Sequence, residues 1–441
     1  MIIKLKNFIQ TLEIWQRLVI IIAIMVFIRV GSLIQIPFVN AEYMQSLLGN
    51  SNIGMLSILT GNSLTQMGIF ALSISPYISA SIIVQLLTVI FPALEEMAKD
   101  GKTGQENYKK IIRFSGIGLA LIQSLAMALG FGSSGLIAPY SAYTVCSAVA
   151  IWTIGAIILI VIGEFLDMFE LGSGISMILF VNIISTVPGD VKSIYDMYIH
   201  GKNIGTTCVT AIIALGIALA VLAACNILTS AERRIKVMTS MRVGGGGNTT
   251  TMPIPFLTCS VMPMIFTSTI LSIPVLLARF IPAMQIGIAN DIVSACSQSN
   301  WFNVDKPFYS LGIIAYIGLN LLFTYFYLMI QYNPIEIADN LKKSGSVIPG
   351  IRAGKPTADY IAKITKQTAT AGSMCLVGLI LATTCLMNLC GLGGMALGGT
   401  SAIIAVSVIN EVRQKINAEI ISKNAHKKIK TTLFGRSMVN V

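Results

Sequence analysis

The chain has 441 residues, 54% of them hydrophobic and only 11% charged, with a mean hydropathy of +0.78. A soluble domain carries about 25% charged residues, so an ordinary soluble fold is excluded and a polytopic membrane protein is expected. The net charge of +11 matches a nucleic-acid binder in size alone, so where the charges fall along the chain matters more than their sum.

The start, Met1-Ile-Ile-Lys-Leu-Lys6, is followed by no small-residue cleavage site, so the first apolar run, near 18–36, reads as a retained anchor. Next comes a broken apolar stretch from Ile53 to Pro92. Its first piece, Ile53 to Thr60, is too short to cross a bilayer, Gly61-Asn62-Ser63 interrupts it, and Met67 to Pro92 is long enough to span. A half-helix that folds back within a membrane protein must sit in a cavity, because unpaired backbone cannot face lipid. That is the layout of a stopper beside a pore. Further spans follow near 111–131, 143–164, 174–188, 205–228, 256–280, 308–330, 368–387 and 397–414, giving ten in all. Glu164, Asp167 and Glu170 cluster at the end of the fourth, where solvated charges are expected. Two connections exceed what linkage needs: Ser230 to Pro255, with Arg233-Arg234 and the run Gly244 to Gly247, and Gln331 to Gln367. Long ordered loops are usually functional.

With the N-terminus in the cytoplasm, 25 of the 30 Lys and Arg fall in cytoplasmic segments and four (Lys192, Lys202, Arg279, Lys306) outside; Arg29 lies within the first span. That split follows the positive-inside rule, and an even number of spans places both termini in the cytoplasm. Pro76-x-Ile78-x-x-Ser81 in span two echoes Pro263-x-Ile265-x-x-Ser268 in span seven, and Gly174-x-Ser176-x-x-Leu179 in span five echoes Gly399-x-Ser401-x-x-Ile404 in span ten. An offset of five spans is odd, so the two halves, 1–203 and 204–441, have opposite topology. Such repeats place the conducting path at their interface. The expected fold class is all-α: ten transmembrane helices in two inverted five-helix halves, plus a plug half-helix.

Several chemistries are missing from the sequence. Gly101-Lys102-Thr103 lacks the upstream glycine of a phosphate-binding loop, position 96 being Glu. No carboxylate sits mid-membrane, as an ion-coupled transporter usually needs, and Arg29 alone is no relay; it reads as packed in the bundle or reaching for an interface. His200 and His426 lie far apart in loops, so neither a metal nor a cofactor is expected. Of eight cysteines, Cys146, Cys208, Cys225, Cys259, Cys375 and Cys385 lie in apolar runs and read as buried, inert thiols. The chain reads as a non-enzymatic, passive conduit driven by a partner.

The wording is also specific. Ile69-Phe-Ala-Leu-Ser-Ile-Ser-Pro-Tyr-Ile-Ser-Ala-Ser-Ile-Ile-Val-Gln-Leu-Leu-Thr88 closely resembles the second membrane helix of the SecY family, the channel subunits of the bacterial protein translocase. Arg29 to Pro37 resembles that family's first-span ending, Gly398-Gly-Thr-Ser401 the start of its tenth helix, and Gln331 to Thr357 its large fifth cytoplasmic loop. The loop match is long and rich in polar, Gly and Pro positions, which lipid-facing composition does not produce.

The resemblance implies a channel in the cytoplasmic membrane that passes unfolded secretory proteins across and releases transmembrane segments sideways into lipid. By position it implies a pore ring of Ile74, Ile78, Leu179, Ile265 and Ile404. Flexible aliphatic side chains dewet a constriction and yield around a passing chain. It implies a plug of Ile53, Gly54, Met55, Leu56, Ser57, Ile58, Leu59, Thr60 and Gly61, and a lateral gate of spans two and seven with Pro76, Ser81, Gln85, Pro263 and Ser268. Arg352 matches the loop arginine on which the motor ATPase SecA and the ribosome depend. Arg233, Arg234, Arg242, Lys342, Lys343 and Lys355 join it as partner-binding candidates, since a basic tip suits acidic protein or ribosomal RNA. Implied partners are the small subunits SecE and SecG, SecA, the ribosome, signal sequences, unfolded clients and membrane lipid. Two departures stand out: the 230–255 loop keeps only Arg242 at its tip, and Leu257 stands where the family has an Asn of a polar gate cluster. The alternatives are an accessory SecY paralogue with restricted clients and an inverted-repeat secondary transporter.

Overall fold

The computed structural model describes residues 13–44, 60–61, 63–99, 102–198, 216, 219–239, 249–257, 262–280, 287–301, 307–389 and 400–437. The opening helix, α1 (Ile14–Leu33), shows why the frame belongs in a membrane. Glu13 and Gln16 form a reciprocal cap, with the Glu13 amide donating to Gln16 Oε1 at 3.1 Å. Only Arg17, Ile21, Ile28 and Ser32 are buried, at spacings of one helical stripe. The rest of its surface, including Trp15, Ile22, Val26, Phe27 and Val30, is apolar yet exposed in the bare protein. A helix that buries one stripe and stays apolar elsewhere requires a hydrocarbon surround.

Span two departs from expectation. Residues 67–74, read as the beginning of a helix, are instead a run of turns, and α2 covers Ser75–Ile90. Tertiary pairing overrides the apolar pattern here. Gln35 bridges Gly68, the Ile69 amide donates to Ile34 O at 3.0 Å, and the Ile36 amide donates to Met67 O at 3.3 Å. A Cβ at Gly68 would collide with the Ser32 carbonyl, and one at Gly155 with the Ile69 carbonyl, so this 60–74 strap lies backbone-to-backbone against α1 and α5. Several of its non-helical peptide groups, the Gly68, Ile69, Ala71 and Ser73 amides among them, thereby find partners inside protein, the condition for irregular backbone at membrane depth. Pro76, in the first turn, then starts α2.

The following helices are α3 (Pro92–Lys99), set at 113° to α2; α4 (Lys102–Phe131); α5 (Ala142–Asp167), capped by Ser141 and Thr144; and α6 (Gly174–Tyr198). The second half contributes α7 (Leu219–Ser230), α8 (Met262–Phe280), α9 (Gly287–Cys296), α10 (Leu311–Gln331), α11 (Pro334–Lys343), α12 (Lys355–Leu389) and α13 (Thr400–Ser437). A helix stands at each of the ten predicted spans, counting α1, α2, α4 to α8, α10, α12 and α13 among the described residues. α13 has 38 residues, which at 1.5 Å each is about 57 Å, nearly twice the hydrocarbon thickness. It therefore continues past the membrane, where Glu419 meets the buried Arg17 of α1 at 3.4 Å.

Packing repeats between the halves: α4 lies between α2 and α5, and α10 lies between α8 and α12. Across the centre, α2 touches α8 and α6 packs on α13. These are the span pairs, two with seven and five with ten, that the sequence echoes joined.

The helical frame carries one element absent from the sequence reading. The loop 230–255 holds a hairpin, β1 (Glu232–Thr239) and β2 (Thr249–Pro255), and β3 (Ser346–Val347) from the other long loop pairs antiparallel with β1. Ile235, Val237 and Ile254 form a separate small core with Ile348, Ile361 and Ile364. Two loops that looked independent are one module.

Two further expectations are corrected. Cys146 and Cys375 are exposed rather than buried, lying on outward faces of apolar helices that lipid would cover, and Cys385 is only half-buried; Cys225 is buried, and Cys208 and Cys259 lie outside the described residues. The carboxylates at the end of span four are not merely solvated. Glu164 pairs with Arg113 of α4, and Asp167 accepts from the Gly174 amide at 2.7 Å, capping the α6 N-terminus, while Lys109 approaches it at 3.6 Å.

Candidate channel constriction and docking loops

Four helices and the residue just before one of them supply the five residues expected to form the ring. Ile74 immediately precedes α2, and Ile78 lies one turn into it. Leu179 is on α6, Ile265 on α8 and Ile404 on α13. All five are buried, none more than 7% exposed, and all belong to one apolar cluster running through both halves. The local sequence explains the placement. Pro76 fixes where α2 begins, and Gly174, whose Cβ would strike the Gly163 carbonyl, lets α6 start hard against α5.

The expected gate residues sit on the facing helices α2 and α8. Pro76, Pro263 and Ser268 are buried, while Ser81 and Gln85 are half-buried. Gln85 Nε2 donates to Ser81 Oγ at 3.1 Å, one turn back along α2. Leu257 packs against the main apolar cluster, so this position is apolar where the resemblance implied a polar group. Of the expected plug, Thr60 and Gly61 are described and both are buried; Ile53 to Leu59 lie outside the described residues. Arg29 Nη1 donates to Gly61 O at 2.9 Å and to Ser32 Oγ at 3.1 Å, which gives this arginine a backbone partner on the strap.

The basic candidates gather on the sheet module. Arg233 and Arg234 are exposed on β1, opposite Ile254 and Pro253 of β2. Lys342 and Lys343 occupy the last turn of α11, where cations suit the helix dipole, and Lys355 opens α12; all three are exposed. Arg352 is exposed, and Thr357 Oγ1 donates to its carbonyl at 2.8 Å, fixing the backbone beneath a side chain open to a partner. Arg242 lies outside the described residues. What the sequence reading missed is that β3 welds the two basic loops together. The signal was available: from Glu232, Ile235 and Val237 alternate with Arg234, Lys236 and Met238, the period of a half-buried strand.

The sequence pattern of the SecY family matches residues 68–413. This chain belongs to the SecY family. The SecY protein translocase subunit of Bacillus subtilis is 32% identical over 431 residues, covering 95% of this chain and 97% of that one. Among solved structures, a SecY protein whose plug domain stabilises the closed state of the translocation channel superposes with TM-score 0.65 at 15% identity, covering 92% of each chain. Sec61 in the canine ribosome–channel complex from the endoplasmic reticulum gives TM-score 0.59 at 16% identity over 91% of each. The fold of this SecY-family chain is thus that of the SecY and Sec61 channels.

Proposed function

We infer that this chain is the central channel-forming subunit of a Sec protein translocase, passing unfolded secretory proteins across the membrane and releasing transmembrane segments sideways between α2 and α8. The carrying observation is that Ile74, Ile78, Leu179, Ile265 and Ile404, drawn from four helices and the residue just before one of them, share one buried apolar cluster. A resting channel for polypeptide must exclude ions, and an uncharged aliphatic constriction does so by dewetting. Opening the ring disrupts the packing of those side chains. The α2–α8 contact crosses between the halves and is the seam along which the bundle parts. Ile53 to Gly61 serve as the plug. The chain itself does no chemistry; energy comes from SecA or from the ribosome, docked on Arg233, Arg234, Arg242, Lys342, Lys343, Arg352 and Lys355. The ribosome-bound Sec61 relative supports the second of these partners.

This reading places the sheet module and both termini in the cytoplasm, with SecE and SecG as small membrane partners against the outward apolar faces. The secondary-transporter alternative finds no support in these relatives. The apolar Leu257 at the gate favours a paralogue with restricted clients as the second reading. The test is reconstitution of the purified assembled complex into proteoliposomes, with SecA, ATP and a labelled preprotein. Protease-protected preprotein is expected; its absence under conditions where a housekeeping SecY complex transports the same client would overturn the general reading in favour of the restricted one.

A further inference from the structure

Beneath the constriction lies a buried polar junction whose Asn182, Ser73 and Arg29 side chains none of the roles above uses. On α6, Asn182 sits three residues after Leu179 and is 7% exposed. Its Nδ2 donates to Ser73 Oγ at 2.8 Å, across 109 residues of sequence. Ser73 is itself 3% exposed and immediately precedes Ile74. Its backbone has φ +50°, a left-handed conformation unusual for a residue with a Cβ. One turn further along α6, Ser185 Oγ donates to the Asn182 carbonyl at 2.7 Å and reaches Gly61 O at 3.4 Å, the same carbonyl that Arg29 Nη1 holds at 2.9 Å. Gly61, at φ +64°, lies so close to α6 that a Cβ there would fall 2.9 Å from Asn182 Cα. The 60–74 strap is thus pinned at both ends: Arg29 and Ser185 on Gly61, Asn182 on Ser73.

We propose that Asn182 and Ser73, backed by Arg29, form the closed-state clamp of the channel, seating Ile74 against the rest of the constriction. The proposal rests on the channel reading above and adds residues that position the constriction without lining it. The geometry carries it. The two residues that flank the clamp, Ile74 at the start of α2 and Leu179 on α6, are both constriction residues, so a single hydrogen bond sets their relative height. The clamp also holds Ser73 in a backbone conformation it would otherwise leave, and the segment gains strain relief when the bond opens. A client that pushes α2 away from α6 must break this bond first, in a place where water does not replace it until the constriction wets.

The experiment is ion conductance of the assembled channel complex in planar bilayers. Ser73→Ala removes the hydroxyl but keeps the Cβ and the strained backbone. Loss of a buried hydrogen bond raises the resting open fraction by roughly fivefold to a hundredfold. Ser73→Gly also removes the hydroxyl, but glycine accepts φ +50° at no steric cost, so its leak is expected to be smaller than that of Ser73→Ala. Asn182→Leu leaks as Ser73→Ala does, and the double variant leaks no more than the larger single, because both act through one bond. Additive leaks, or a Ser73→Ala channel as silent as wild type while Ile265→Asn conducts, overturn the clamp and leave the channel reading in place. Silence of every variant including Ile265→Asn, with no preprotein transport, overturns both. Should Asn182→Leu fail to accumulate, the two Ser73 variants decide by their rank order alone.

Discussion

Replacing Ile265 by Asn separates a seal from ordinary packing. Ile265 is 4% exposed in the centre of the main apolar cluster. Removing a buried isoleucine side chain forfeits about 1.5–3 kcal/mol of burial. Burying an amide without partners costs about 1–3 kcal/mol more. The dry, closed constriction is therefore raised by roughly 3–6 kcal/mol. A wetted constriction hydrates the amide and recovers most of that, so the balance shifts toward wetting by about a hundredfold or more, at 1.4 kcal/mol per factor of ten. Ile265→Leu conserves volume and costs under about 1.5 kcal/mol, with no polar group to draw water. Single-channel recording of the assembled complex should show Asn conducting at rest and Leu silent. A silent Asn channel with a lowered unfolding temperature in detergent would make Ile265 a packing residue and refute the constriction.

Arg352→Glu should abolish SecA-driven transport into inverted vesicles while leaving membrane assembly intact. Truncating an interfacial charge costs about 2–5 kcal/mol, whereas an exposed loop substitution costs the bundle about 0.5 kcal/mol or less; normal transport would leave the loop with a topological role alone. Arg352→Lys should be partly defective, since it keeps the charge and loses the planar fork. Deleting Ile53 to Gly61 should leave an assembled but flickering, leaky pore with relaxed demand on signal sequences; collapse of the protein would show that the segment is structural. Gly174→Ala should lower the unfolding temperature measured in detergent, because the added Cβ meets the Gly163 carbonyl and overpacking of this kind costs about 1–3 kcal/mol; an unchanged transition would mean that α5 and α6 part without cost.

The sequence was most legible where a single physical requirement dominates. An apolar run of spanning length has one stable form in lipid, and so each predicted span contains a helix, with α6 beginning at Gly174 as its pattern implied. The repeat echoes were readable because they mark equivalent positions in helices that the structure brings together. Legibility failed where distant partners decide. Residues 67–74 are as apolar as a helix, yet Gly68 and its bridge to Gln35 bind them into a strap. The Asn182–Ser73 bond joins residues that no local pattern relates. The hairpin was hidden by its glycine run, which reads as loop, although the alternation of Ile235 and Val237 with charged neighbours was present.

One consequence of the sheet module is mechanical. The end of β2 is tied to the start of β1 by the Phe256 amide donating to Ala231 O at 2.8 Å, and α8 begins at Met262, a few residues later. β3 couples the other basic loop to the far end of β1. A partner that grips either loop therefore grips one three-stranded sheet. Load taken up by one loop is shared with the other through β1, so the two basic loops answer a pull as a single lever.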